Sequence, residues 1–343
     1  MPRLLLSALC LAWSLLSVAH ARVVTDMAGR QVEIPERIER VWGSAPPLSV
    51  LLTMVAPQTV VGWNLAFEPQ AGRYLPPGLT QKPVLGGVYG MGRTADAETV
   101  LAARPQVVLA WQSPLVDPAM VEHFFARLRI PVLFVKLDTL ADWPAAMRFT
   151  ARALGTDTAQ ASRQAAYIEQ ALAGTRAKTA RLSDKDKVRV YYAEGPAGLN
   201  TDCHRSFHTE AIELAGGYNI YRCEPSTHMG MEAISLEQVI AANPQVIVAQ
   251  DPQFAATVLK DPRWQQIEAV QKGRVYAVPH WPMNWLDRPP SAMRALGIQW
   301  LSQVFYPQAT PTIDLPAETR RFYQLFLHVD LDQAALQALM PHP

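Results

Sequence analysis

Residues 203–208 read Cys-His-Arg-Ser-Phe-His, the densest run of chemically able side chains in the 343-residue sequence. His204 and His208 stand four apart, so on a helix both imidazoles face one ion, and His228 could join them. Imidazole suits nickel, copper, zinc or iron, so direct contact with a transition metal is one expectation. The alternative is a loop stapled through Cys203, with His208 beside the cap of the next helix. A hydrolase built on Cys203 or Ser206 is not expected: neither residue sits in a nucleophile elbow or has a convincing acidic partner. Gly87 to Thr94, GVYGMGRT, nearly spells a phosphate-binding loop, but Arg93 stands where the lysine belongs, which sets nucleotide chemistry aside. An enzyme is therefore not expected.

Something must carry these residues, and the pattern names it. Thr156 to Leu182 reads as one long helix: Thr156 and Asp157 supply an N-cap, and Ala, Gln, Arg, Leu and Lys fill the body. On either side of it the sequence repeats. Residues 95–111, ADAETVLAARPQVVLAW, and residues 234–250, ISLEQVIAANPQVIVAQ, align without gaps, and Glu98/Glu237, Val100/Val239, Pro105/Pro244, Gln106/Gln245 and Ala110/Ala249 are among the identities. Each copy is a short amphipathic helix, a Pro turn and an apolar strand. Two α/β lobes joined by a rod are therefore expected: residues 22–155, the linking helix 156–182, and residues 183–343 with terminal helices over 317–340 against the second lobe.

Residues 1–21 precede that unit. Arg3, an apolar run from Leu4 to Val18 and Ala19-His20-Ala21 make a cleavable secretory leader, cut after Ala21. Of 31 basic residues Arg3 leaves with it, so 30 face 30 acidic ones and no global attraction to nucleic acid arises. Cys10 also leaves. Cys203 and Cys223 then form an isolated pair in an oxidising compartment, most simply a disulfide.

Five phrases now carry a resemblance. VTDMAGRQVEIPERIERV, AETVLAARPQVVLAW, FHTEAIELAGGYNI, SLEQVIAANPQVIVA and WLDRPPSAMRALGIQWL run in order over nearly the whole mature chain. They resemble the periplasmic substrate-binding proteins of the iron-siderophore, haem and vitamin B12 class of ABC importers. The resemblance implies two lobes on a rigid helix, a ligand cleft between them, a monomer in the periplasm, and delivery to an inner-membrane permease dimer. No resident cofactor is implied. The ligand would be a metal chelate, of the iron(III)-siderophore type foremost, then a nickel or other transition-metal complex, then cobalamin or haem; an exported metallochaperone is the competing class.

In such a fold the cleft walls are strand-end loops. The first lobe offers Trp63, Tyr89, Arg93 and Trp111. The second offers His204, Arg205, His208, His228, Met231, Trp285, Asp287 and Arg288. Aromatic faces pack on a chelate and Arg pairs with its oxygens. Met231 falls where the cobalamin-binding member carries an aromatic, which weakens that ligand. Glu98 and Glu237 match the positions at which the family docks one acidic residue per lobe onto permease arginines.

Overall fold

The computed structural model describes residues 21–89, 93–114, 116–225, 230–308 and 313–340. The expected leader, apart from Ala21, and His228 lie outside them.

The chain opens with a hairpin, β1 (Ala21–Thr25) against β2 (Gln31–Pro35), turning through Gly29 at φ 81°. Asp26 bolts it to the first lobe: its buried carboxylate accepts the N–H groups of Ala28, Arg30 and Phe134 and pairs Arg30 at 2.6 Å. That lobe runs β3 (Val41–Gly43), α1 (Pro46–Val55), α2 (Ala97–Ala103), β4 (Val107–Trp111), α3 (Pro118–Leu128), β5 (Val132–Val135) and α4 (Trp143–Leu154), with a parallel sheet ordered β3-β4-β5. The 3-10 turn Pro57–Thr59 leaves the following segment only isolated bridges, Val60 to Val41 and Trp63 to Val84.

Helix α5 (Thr158–Thr179) is the rod, 22 residues and so about 33 Å long. Asp157 caps it by accepting the N–H groups of Ala159 and Gln160. Its buried stripe, Ala161, Gln164, Ala165, Ile168, Ala171, Leu172 and Thr175, recurs every three to four residues and packs on α4 of the first lobe and on helices of the second.

The second lobe comprises β6 (Val188–Ala193), β7 (Asn200–Thr201), α6 (Glu210–Leu214), β8 (Gly217–Asn219), β9 (Glu232–Ala233), α7 (Leu236–Ala242), β10 (Val246–Ala249), α8 (Pro252–Val258), α9 (Glu268–Gln271), β11 (Val275–Ala277) and α10 (Arg294–Phe305). Its parallel sheet is ordered β11-β10-β6-β8, separate from the first, and β7 pairs β9 antiparallel. The repeat is real in three dimensions. Helices α2 and α7 end on left-handed Arg104 (φ 47°) and Asn243 (φ 41°), and the Pro-Gln turns lead into β4 and β10, each inside its own sheet. In both, the glutamine oxygen accepts a backbone N–H at the start of the neighbouring strand, Arg40 just before β3 for Gln106 and Arg189 in β6 for Gln245.

The terminal helices take a route the sequence does not announce. Helix α11 (Leu315–Leu327) touches α10 but also α5 and α1, and α12 (Gln333–Leu339) reaches the first lobe, where Tyr74 Oη donates to Ala335 O and Arg73 pairs Asp332 at 2.7 Å. Buried Gln164 of α5 donates to Met54 O of α1 and to Leu325 O of α11. One hydrophobic core therefore runs from Ile34 to Leu339 through both lobes, and a smaller one, including Tyr191, Ile247, Phe254 and Trp264, covers the far face of the second sheet.

Candidate functional site

The carboxyl ends of the two sheets face each other across a hollow of about 690 Å³. The first lobe lines it with the start of α1 and the 63–71 stretch, the second with loops after β6, β10 and β11. Three expected residues stand there: Trp63, Met231 and Arg288. Trp63 is buried, donates through Nε1 to Leu79 O at 2.7 Å and meets half-buried Phe67 edge-on, with exposed Leu65 alongside.

Several residues that no sequence pattern singles out shape this hollow. Asn64 Nδ2 donates to Gly43 O and Gly86 O while its Oδ1 accepts from Ser49 Oγ, which ties the end of β3, α1 and two loops into one floor. Trp281 stacks on Tyr74 across the lobe boundary, centroids 6.3 Å apart and planes 10° off parallel. His280, Met283, Asn284, Gln250 and Asp251 complete the second-lobe wall. An aromatic beside a proline or an amide on a loop was the only available signal.

Arg288 is the lining guanidinium, and it is heavily engaged. Its backbone is left-handed at φ 57°, Nε donates to Glu194 Oε1 at 2.7 Å, Nη2 to Asp202 Oδ2 at 3.0 Å, and Asp287 Oδ2 lies 3.5 Å from Nε. All three carboxyls are buried. Burial pushes the Glu194 carboxyl up. Burial, then the neighbouring Glu194, pushes Asp202 up to about 7, against the lowering influence of His208 and Arg288. Asp287 in turn holds His208 through Nδ1.

Other expected contacts are placed elsewhere. Trp285 is fully buried in the second-lobe core, donating to Tyr323 Oη and meeting Trp300 edge-on, so it does not face the hollow. Asp287, also fully buried, lies beneath Arg288 and not on the wall. Arg93 is exposed and paired with the α2 cap Asp96 at 2.9 Å, and Arg205 is exposed and paired with Glu224 at 2.6 Å. Tyr89, Trp111, Phe207 and His208 form an aromatic chain between the lobes with centroid spacings of 5.8, 6.1 and 4.0 Å. Beyond it lies a second hollow of about 520 Å³, where Ser113 and Asp138 face His204, Arg205 and Phe207. Burial raises the Asp138 carboxyl pKa there.

The metal pair is not assembled. Residues 203–209 form successive turns, Ser206 N to Cys203 O and Thr209 N to Ser206 O, and not a helix. His204 Nδ1 accepts from Cys223 N while His208 turns to Asp287. Among the described residues no metal-sized trio includes either histidine; the trio found, Cys203, Cys223 and Glu232, contains the disulfide, whose sulfurs are no thiolates. Cys203 and Cys223 are joined, Cα atoms 5.2 Å apart. Glu98 and Glu237 are both exposed in the first turns of the repeated helices. No described helix is long and apolar enough to cross a membrane.

Two α/β lobes, one bridging helix and a solute-sized hollow at the facing strand ends define a bilobal solute-binding protein. The chain belongs to the periplasmic binding protein family, whose sequence pattern matches residues 56–280. Two relatives span nearly its whole length, and a third spans part of it. The molybdate-binding protein MolA of Haemophilus influenzae is 28% identical over 92% of this chain and 94% of its own. An ABC transporter solute-binding protein of Sulfurospirillum deleyianum superposes with a TM-score of 0.86 at 34% identity, covering 93% of this chain and 99% of that one. The vitamin B12-binding protein of Vibrio cholerae is 23% identical over 57% of this chain and 67% of its own.

Proposed function

We propose that this chain captures a metal chelate in the periplasm, an iron(III)-siderophore type foremost, and hands it to an ABC permease dimer. The observation that carries the reading is the hollow itself. Its volume falls within the range of pockets that enclose drug-sized ligands, and its walls are mainly aromatic and aliphatic, with Trp63, Phe67, Trp281, Met231 and Met283. A chelate presents an apolar or aromatic shell to such walls and a few oxygens to Asn284 and Arg288. Cobalamin and haem are chelates of the same kind and rank behind it. A nickel or other metal complex held by His204, His208 and His228 has less support, because His204 and His208 point to different partners.

A second reading is a tetrahedral metal oxyanion. It is favoured by the near full-length relative named for molybdate.

On this proposal residues 1–21 are the leader, the lobes are 22–155 and 183–343 about the 156–182 link, the protein works as a monomer, and Glu98 and Glu237 dock on the permease. Native mass spectrometry of protein taken from its own periplasm tests it. One organic metal complex per chain is expected. A bare metal ion with no carrier would overturn the proposal in favour of an exported metallochaperone, conversion of the bound solute would point to a hydrolase, and a molybdate mass would establish the second reading.

A further inference from the structure

Arg288 is the single Arg or Lys among the described residues that line the large hollow, and Glu68 and Asp251 line it too. Behind Arg288 the acceptors outnumber the donors. Glu194 and Asp202 both take the guanidinium, and Asp287 sits against it. Glu194 Oε2 and Asp287 Oδ1 are buried with no donor among the described residues. Among the described residues His208 is the other cation-forming side chain in contact with this group, through Asp287. The backbone presses in as well: a Cβ on Gly230 would lie 2.3 Å from Asp202 Oδ2, and Met231, left-handed at φ 57°, follows it onto the hollow's wall. Arg288 is only 14% exposed at its side chain, so a ligand meets its edge while the carboxyls hold its body. A guanidinium surrounded in this way orients a ligand by hydrogen bonds but adds no net positive field, and His280 is the other cation-forming side chain among the described lining residues.

We propose that Glu194, Asp202 and Asp287 are positioning residues that set the ligand's charge class: they orient and neutralise Arg288, so the hollow takes a neutral or cationic metal complex and disfavours a free divalent oxyanion. This rests on the chelate reading for the complex it admits, whereas the rejection of oxyanions stands on the charge arrangement alone.

The test uses the mature full chain and two probes, sodium molybdate and a neutral iron(III) trihydroxamate complex, each titrated by intrinsic tryptophan fluorescence at fixed salt. Wild-type protein is expected to bind molybdate no tighter than about 100 μM. At about pH 8.5, where Asp202 is ionised, Glu194→Gln and Asp202→Asn each remove one buried negative charge at nearly constant shape and are expected to tighten it about tenfold. A purely structural role for these carboxyls would weaken both probes together. Micromolar or tighter molybdate binding by wild type overturns the inference, as does a variant that melts cooperatively yet gains no molybdate affinity. If one variant does not fold, the other and the wild-type affinity still decide. If wild type binds neither the trihydroxamate nor any other chelate, the proposed function fails while the molybdate result still judges the charge argument.

Discussion

Glu210 joins the lobes at one point, and its removal is a measurable perturbation. Both its carboxylate oxygens accept the Leu140 N–H of the first lobe at 3.0 Å, and Oε2 pairs with Arg294 of α10. Arg294 is fully buried, its Nε reaches only Ser291 O at 3.3 Å, and Nη2 has no partner among the described residues. Glu210→Ala therefore strands a guanidinium out of water and orphans a backbone donor. Removing one partner of a buried pair costs about 3–5 kcal/mol; because Glu210 is 18% exposed and water can enter, about 3 kcal/mol is expected. Glu210→Gln keeps an acceptor for Leu140 and should cost about half of that. Urea unfolding followed by tryptophan fluorescence, with the slope checked for constancy, reads these values. Adding Arg294→Met to Glu210→Ala removes the stranded charge, so the double variant should be more stable than Glu210→Ala alone. A loss under about 1 kcal/mol for Glu210→Ala, or simple additivity in the double variant, would refute the buried-charge argument.

Gly198→Ala should destabilise the protein by about 2 kcal/mol or more, since its φ is 65° and a Cβ would lie 2.2 Å from the Phe254 ring; an unchanged urea midpoint would contradict the close approach. Reducing the Cys203–Cys223 bond, separated by 20 residues, should cost about 3 kcal/mol, read as the unfolding midpoint with and without dithiothreitol. Asp202 has a folded pKa raised to about 7 from 3.8, so the stability it contributes is full below about 4 and lost as pH rises to about 7. The stability of Asp202→Asn relative to wild type should accordingly rise by up to about 4 kcal/mol between those limits, and a flat difference would dismiss the raised pKa. Replacing Glu98 and Glu237 together with Arg should abolish uptake by cells while solute binding by the purified protein is unchanged; loss of binding as well would refute docking.

The repeat and the rod were legible because each is a strong local pattern. A capped helix with an apolar residue every third or fourth position has one reading, and two copies of helix, Pro-Gln turn and strand on either side of it imply two sheets. Helix α4 was not read, although it lies against α5 along its length. Its Trp143-Pro144 start has no side-chain cap, because the Asp142 carboxylate serves Thr139 instead. The direction of α11 was hidden for another reason: periodicity shows which face is apolar, not which neighbour covers it. For the site, residue type misled at Trp285, since a strand-end tryptophan suits a ligand wall as well as a core. Gly297 held the missing clue, for its Cα side lies against the Trp285 carbonyl, 2.4 Å from where a Cβ would sit, and so draws that loop inward onto α10. His204 and His208 misled through spacing, which puts two rings together only if the backbone between them is helical.

The path of α11 and α12 has a consequence for how this polypeptide matures. Ile34 and Leu339 belong to one hydrophobic core, so the half of the molecule made first remains open until the last-made helices arrive. Contacts spanning almost the full chain are slow to form, because the intervening loop must close before they are rewarded. A chain still lacking α11 and α12 thus leaves uncovered the parts of α1 and Tyr74 that they pack on. Tight packing is deferred to the end of synthesis.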